Sequence, residues 1–514
     1  RSTVPLQPEP ILAAEIETAE EQKLARLKEQ MSPEQILEIQ QQTKDLLTLQ
    51  ETPDSEAAIA TLPLLNRTDL EPTVKSPARQ QHTHQDLTIL QHPLFTNGIL
   101  YFDFGINLDV LTKDEIPYTS LLGNLYLEMG TEKEDYSQLS QRIATQTGGI
   151  YGTPYTVPHE KQNESVLRFF IRGKCMLSKT DELLAIYADI LLHPRFDNAE
   201  RFKQIVLEHK ADIESSVIPR GHSAVMTRLK AHDHPAHTIT EQIGGIDALF
   251  FARQLLQEIE TNWPAVEKRL HTIHQKLISK NGLLINITAD AAALKSITPK
   301  IEQFAAQLPT ASATPTKRTT QPYPASEALL VPSRINFVGA AANLYTHGYQ
   351  LHGSSLVITR YLQTAWLWEK IRVQGGAYGG MCAFDQRSGT FSFASYRDPN
   401  LEESIRVYQQ TGQFLQDLKL DEAELTRALI GAIGQLDSHL LPDASALTST
   451  KRYLIGYTDE QRQQFRDQVL STNQSHFNQF GELLTRAFAT PRLAVLCDHE
   501  SAKKAGLKTF TEVL

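Results

Sequence analysis

Gly148-Gly149-Ile150-Tyr151-Gly152 and, 227 positions later, Gly375-Gly376-Ala377-Tyr378-Gly379 decide how this chain is organised. Each pentapeptide follows a stretch of helical periodicity and opens an alternating, strand-like run, so the two mark the same point in two copies of one unit. Outward from the first copy, strand-like runs at 87–91 and 99–107 flank Phe95-Thr96-Asn97-Gly98, where Asn-Gly supplies the positive backbone angles of a tight turn. Helices are predicted over about 115–129 and 134–146, strands at 150–157 and 166–174, a helix at 179–192, a long helical stretch, and a strand at 282–289. Outward from the second, the order recurs: strands at 327–331 and 335–343, a helix at 354–370, strands at 377–384 and 390–397, helices from Leu401, Asp421 and Asp459, and a strand at 492–497. So long a period means duplicated domains and not a solenoid. Strands with segregated helices predict an α+β fold, each domain an antiparallel-rich sheet with helices packed on it.

Ahead of the repeat, Ile16, Ala19, Leu24, Leu27 and Met31 fall at helical spacing. Ser32-Pro33-Glu34-Gln35 then reads as an N-cap, a first-turn proline and a capping-box glutamine opening a second helix. The two predict a helical hairpin, followed from Thr52 by an aperiodic, polar linker. The expected divisions are 1–85 as hairpin connector and linker, 86–308 as one domain, 309–325 as a Pro- and Thr-rich linker, and 326–514 as the other domain.

With 50 Lys and Arg against 60 Asp and Glu, the net charge is −10, and the basic residues are scattered. Nucleic acid is therefore excluded as the main partner. No run of about 18 apolar residues is present, so no membrane-spanning helix is expected. Three cysteines, Cys175, Cys382 and Cys497, are too far apart to suggest a metal knuckle or redox pair, which points to a reducing compartment. The chain opens Arg1-Ser2-Thr3 without a methionine, so it reads as processed or excised, with any targeting segment upstream.

The segment from Ile371 through Gly379, with Phe384-Asp385, Arg387-Ser388-Gly389 and Ser395-Tyr396-Arg397-Asp398-Pro399-Asn400, closely resembles the presequence protease and falcilysin branch of the pitrilysin metallopeptidases. Leu94-Phe95-Thr96-Asn97, Leu127-Glu128-Met129-Gly130-Thr131, Thr147-Gly148-Gly149-Ile150 and Gly221-His222-Ser223 extend the likeness over essentially the whole chain. The resemblance implies a C-terminal half: a connector followed by two homologous domains of the pitrilysin and mitochondrial-processing-peptidase type, the third and fourth of a four-domain chamber. Zinc and its His-x-x-Glu-His motif would belong to the missing N-terminal half, which becomes the expected partner alongside unstructured peptide substrates. No such motif or its reverse occurs here. Where the third domain would hold its echo, the chain reads Leu121-Leu122-Gly123-Asn124-Leu125, and leucine binds no metal.

The same resemblance assigns Arg372 to the substrate backbone or a carboxylate and Tyr378 to the developing oxyanion, a role that positioned donors fill in acyl transfer. Gly375 and Gly376 are expected to leave room for a peptide backbone beside Tyr378. No metal or cofactor is expected in this chain, and alone it is expected to be inactive. The alternative is a noncatalytic scaffold or partner subunit of the same fold. The compartment would be a bacterial cytoplasm or an organelle matrix.

Other candidates carry less. In His232-Asp233-His234-Pro235-Ala236-His237, Pro235 breaks a helix and leaves the imidazoles no enforced common face, so a polar loop is expected. His271 and His274 share a helical face but lack a third ligand, which favours an exposed helix surface. Gly244-Gly245 lacks the lysine of a phosphate loop, and Ser223 lacks a nucleophile elbow.

Overall fold

The computed structural model describes residues 11–84, 87–161, 164–280, 282–310 and 314–514. They fall into two compact units, Arg1–Asn66 and Arg67–Leu514. In the first unit, helix Leu12–Gln30 is followed at once by Pro33–Glu51. The capping box forms as the sequence predicts, with Gln35 N donating to Ser32 Oγ at 3.3 Å and Ser32 N to Gln35 Oε1 at 2.9 Å. The apolar residues at helical spacing in the first helix face solvent: Ile16, Leu24 and Leu27 are between 41% and 59% exposed.

The second unit holds two six-stranded sheets. The first comprises β1 (Gln80–His84), β2 (Leu87–Pro93), β3 (Ile99–Asn107), β4 (Ile150–Pro158), β5 (Ser165–Met176) and β6 (Leu284–Ala289), in the order β1-β2-β6-β3-β5-β4. The second comprises β7 (Ser326–Leu330), β8 (Phe337–Asn343), β9 (Gly379–Phe384), β10 (Thr390–Tyr396), β11 (Arg492–Cys497) and β12 (Phe510–Glu512), in the order β12-β7-β11-β8-β10-β9. Five strands coincide in order, β2-β6-β3-β5-β4 with β7-β11-β8-β10-β9, so the repeat seen in sequence is a repeat of topology, and only the outer strands β1 and β12 differ. Pairing is antiparallel except for β2 with β6 and for β7 with β11 and β12.

The expected elements form, with four differences of physical interest. Asn97 and Gly98 adopt the positive φ angles of the predicted turn, 52° and 79°, but β2 and β3 do not pair. Strand β6, buried at every position, inserts between them, because a strand apolar on both faces needs neighbours on both edges. The polar segment read as linker ends in β1, whose Gln-Gln-His-Thr-His sequence suits an exposed edge. Past the last predicted strand, β12 adds a short second edge. Finally, the helix predicted over 354–370 is α-helical only through Leu362 and continues as a π-helix, Gln363–Gln374.

One face of each sheet is covered by helices of its own repeat copy, and the other by a helix from the opposite copy. Helix Gly221–Lys230 buries Val225 and Leu229 on the second sheet against Leu329, Phe337, Ala341 and Leu496. A Cβ on Gly221 would lie 2.6 Å from the Phe337 ring, so that position admits only hydrogen. Reciprocally, Tyr453 and Leu454 of helix Pro442–Ile455 pack on Leu90, Phe170 and Leu284 of the first sheet.

Polar contacts fix this exchange. Buried Arg228 lies 2.9 Å from Asp247, 3.0 Å from Glu327 on β7 and 3.2 Å from Glu241, beneath the Tyr323 ring. Three carboxylates face one guanidinium, and burial pushes Glu241 up to about 7 and raises Glu327 as well. The segment read as a polar loop is a second clamp: Asp233 accepts from both terminal nitrogens of Arg492, at 2.7 and 2.6 Å, and from Thr390 at 2.5 Å. Pro235 begins a helix there, with His234 as its cap, and His237 lies 3.2 Å from Asp385. His274 is not on an open surface either; its ring packs on Phe196 and meets the Tyr126 hydroxyl at 3.1 Å.

Two measurements test this packing. Gly221→Ala is expected to destabilise the protein by about 1–3 kcal/mol in denaturant titration, because Phe337 is enclosed and has nowhere to move. The folded protein keeps a proton on Glu241 up to about pH 7 that the unfolded chain releases near 4.5. This group's contribution is therefore complete below the unfolded value and is lost as pH rises through the folded one. Glu241→Gln is expected to gain melting temperature relative to wild type between pH 5 and pH 8; a constant difference would contradict the assignment.

Candidate functional site

The π-helix Gln363–Gln374 delivers Arg372 to the start of edge strand β9, and Gly375-Gly376 turns the chain between them. Gly376 has a φ of +74°, and a Cβ on Gly375 would meet the carbonyl oxygens of Ile371 and Lys370 at 2.7 and 2.9 Å. The turn itself thus demands both glycines. Gly376 N donates to Arg372 O at 3.0 Å and Ala377 N to Ile371 O at 3.1 Å, closing the helix end. From outside, Asn400 Nδ2 donates to Gly375 O. Asn400 is held in turn by Asp398, which accepts from its backbone N–H at 2.8 Å and from Ser404 Oγ at 2.5 Å. Burial raises Asp398 above the usual carboxylate range.

Beyond this turn Tyr378 is 66% exposed, and its backbone N–H donates to Tyr396 O at 2.9 Å. The Arg372 guanidinium lies 4.2 Å from the centre of the Trp368 ring and 5.7 Å from that of Tyr378. Trp368 is itself 49% exposed. Among the described residues no side-chain hydrogen bond or ion pair engages Arg372 or Tyr378. The π-helical segment that carries Trp368 and Arg372 is a geometry rare in proteins and concentrated at functional sites.

Behind the exposed pair, Tyr378 packs edge-on against Tyr396, with ring centres 5.8 Å apart, and Tyr396 against His222, with ring centres 5.0 Å apart. Burial holds His222 below the usual imidazole range, so it is an uncharged packing group at neutral pH. Three segments remote in sequence, around Gly221-His222-Ser223, Ile371–Gly379 and Ser395–Asn400, therefore converge here. The sequence named Arg372, Tyr378, Gly375 and Gly376; it missed Trp368, His222 and Tyr396 as their neighbours. The spacing of Trp368 and Arg372, four apart on one helix, was the available signal.

The corresponding part of the first sheet lacks the chemistry for a metal. Leu121 and Leu125 are buried in the core, and Asn124 donates to Glu128 at 2.8 Å. Helix Leu122–Glu128 lies against β4 through Gly123, whose Cβ would sit 3.6 Å from Gly152. Among the described residues no group of three or more His, Cys, Asp or Glu is arranged to hold a metal ion, so the residues present do not fit zinc. Nor is any helix among them long and apolar enough to cross a membrane.

The two helix-covered sheets share their fold with solved structures of M16 peptidase domains. A solved structure titled as a peptidase M16 inactive domain from Pseudomonas fluorescens matches with a TM-score of 0.60, covering 85% of this chain and 100% of that one at 13% identity. The chain belongs to the presequence protease family: residues 6–255 match the family described as associated with peptidases of M16 subfamily C, and residues 326–491 the PreP C-terminal domain. Presequence protease 1, chloroplastic/mitochondrial, of Arabidopsis thaliana is 35% identical over 94% of this chain and 45% of its own length. The mitochondrial presequence protease of Saccharomyces cerevisiae is 27% identical over 83% of this chain and 44% of its own. The chain thus spans about half the length of these curated relatives.

Replacing Gly376 by alanine is expected to cost about 1 kcal/mol of stability and to loosen the turn, because φ near +74° is strained for any residue with a Cβ. An unchanged melting temperature would remove this account of the glycine.

Proposed function

We propose that this chain is the substrate-clamping half of a metallopeptidase that degrades short unstructured peptides inside a closed chamber. The observation that carries this reading is the Arg372–Tyr378 pair, exposed and, among the described residues, without side-chain hydrogen bonds or ion pairs, on a turn that two glycines and Asn400 hold in place. In amide hydrolysis negative charge grows on the carbonyl oxygen, and a donor aimed at that oxygen lowers the barrier. The Tyr378 hydroxyl donates to this oxygen, and Arg372, stacked on Trp368, holds a neighbouring backbone carbonyl or terminal carboxylate of the peptide. A Cβ on Gly379 would meet nothing within 4 Å, which leaves space for a peptide backbone along β9. Gly375 and Gly376 serve the substrate by keeping that approach free of side chains.

Neither Tyr378 nor Arg372 supplies a nucleophile or a zinc ligand, so hydrolysis requires the N-terminal half, where the family's zinc site would lie. Closure of one half on the other admits an unfolded peptide and keeps a folded protein out. The plant and yeast relatives are named for presequences, cleaved segments of that kind. The proposed division places the connector and linker at 1–85, the third and fourth domains at 86–308 and 326–514, and a linker at 309–325.

In the enzyme assembled with its N-terminal half, Tyr378→Phe is expected to lower kcat by about a hundredfold with KM little changed. Arg372→Ala is expected to act mainly on KM. Unchanged turnover in both variants would leave the noncatalytic scaffold, a role in keeping with the inactive domain from Pseudomonas fluorescens.

A further inference from the structure

The first sheet carries its own copy of the tyrosine turn. Gly149 has a φ of +109°, as Gly376 has a positive φ of +74°, and Tyr151 follows it at the start of edge strand β4 as Tyr378 follows Gly376 immediately ahead of β9. Tyr151 is 51% exposed. What lies behind it differs. In the second sheet the backing is aromatic; in the first it is an unbroken row of polar side chains, one from each of five neighbouring strands.

The row begins at His92 on β2, which is fully buried, as is Asn286 on β6. His92 Nδ1 and Asn286 Oδ1 are 2.8 Å apart, and Asn286 Nδ2 donates to Asp103 Oδ2 on β3 at 2.8 Å. Since the amide nitrogen is spent on Asp103, its oxygen faces His92, and Nδ1 carries the proton. Asp103 Oδ1 accepts from Arg172 Nε on β5 at 2.8 Å, and Arg172 Nη1 donates to the Tyr151 hydroxyl oxygen on β4 at 2.7 Å. The cross-strand pairs Asp103–Asn286, Asp103–Arg172 and Tyr151–Arg172 are in register, so the strand order itself aligns the chain. Arg172 also faces Asp443 of helix Pro442–Ile455 at 3.7 Å, which ties the row to the opposite repeat copy.

At its exposed end the row leaves one donor unused. The Tyr151 oxygen already accepts from a cation, so its own hydrogen points elsewhere, and among the described residues nothing receives it. A hydroxyl that accepts a charge-assisted bond is polarised into a stronger donor, and here Asp103 fixes the guanidinium that polarises it. A buried network of this kind holds its terminal group in one geometry, as a binding site requires.

We propose that Tyr151 is a second peptide-binding group: its hydroxyl, positioned by Arg172 and Asp103, donates to a backbone carbonyl of an extended peptide at the edge of the first sheet. This rests on the reading of the chain as a peptide clamp and deepens it. One repeat copy contributes Tyr378 beside the reacting bond, and the other contributes Tyr151 at a separate point along the same substrate. Arg172 is a positioning residue and does not touch the peptide.

The test is the affinity of the 514-residue chain for a fluorescein-labelled cationic peptide that is unstructured in free solution, measured by anisotropy. Tyr151→Phe keeps the ring and removes the donor; Kd is expected to rise about tenfold, with the melting temperature unchanged. A benzoylphenylalanine placed at position 151 is expected to crosslink to the peptide. If Arg372→Ala weakens binding while Tyr151→Phe does not, this proposal fails and the proposed function stands. If Tyr151→Phe weakens it and Arg372→Ala does not, the second site stands and the clamping role of Arg372 fails. Absence of binding by the wild-type chain overturns both.

Discussion

Each sheet of the second unit is finished by the other repeat copy, and the rest of the structure depends on that exchange. A six-stranded sheet with apolar side chains on both faces needs two covers, and each copy supplies only one to itself. Helix Gly221–Lys230 covers the second sheet, helix Pro442–Ile455 the first. Because the cover is borrowed, neither sheet is complete without the other copy, and specific contacts fix the crossing. Gly221 admits the Phe337 ring, Arg228 is enclosed by three carboxylates, and Asp233 grips Arg492 with both oxygens. Buried charges such as these add little net stability, but each is costly to leave unpaired, so they select one arrangement.

The candidate site inherits its geometry from this crossing. Tyr378 rests on Tyr396, which rests on His222, and His222 arrives on the borrowed helix. In the first sheet, Arg172 faces Asp443 of the other borrowed helix while it holds Tyr151. The two copies retain one turn and have diverged behind it, one into aromatic packing and the other into a polar row. Among the described residues neither copy holds a set of metal ligands, and Leu121 and Leu125 belong to the core of the first.

The sequence made the repeat legible because two pentapeptides preserve a turn that only glycine tolerates; Gly149 and Gly376 both have positive φ. It made the strands of the repeat legible through alternation, and helix starts such as Ser32 through their caps. It did not reveal that β6 separates β2 from β3, since a turn is a local property and strand order is not. The polar edge β1 resembled a linker, since an edge strand facing water needs little apolar character. Of the site, Arg372 and Tyr378 were legible by resemblance, whereas His222 and Tyr396 join them only through packing between copies. The row ending at Tyr151 was invisible, because its five members are scattered from His92 to Asn286 and only strand order aligns them.

Peptide hydrolysis measured on this chain alone, and again after addition of the separately expressed N-terminal half of the same enzyme, tests the central claim most directly. If the chain clamps substrate as proposed, and with no set of metal ligands among its described residues, it is predicted to give no turnover by itself and to restore it when the other half is added. Turnover by the isolated chain, at a rate that survives repurification, would contradict the account.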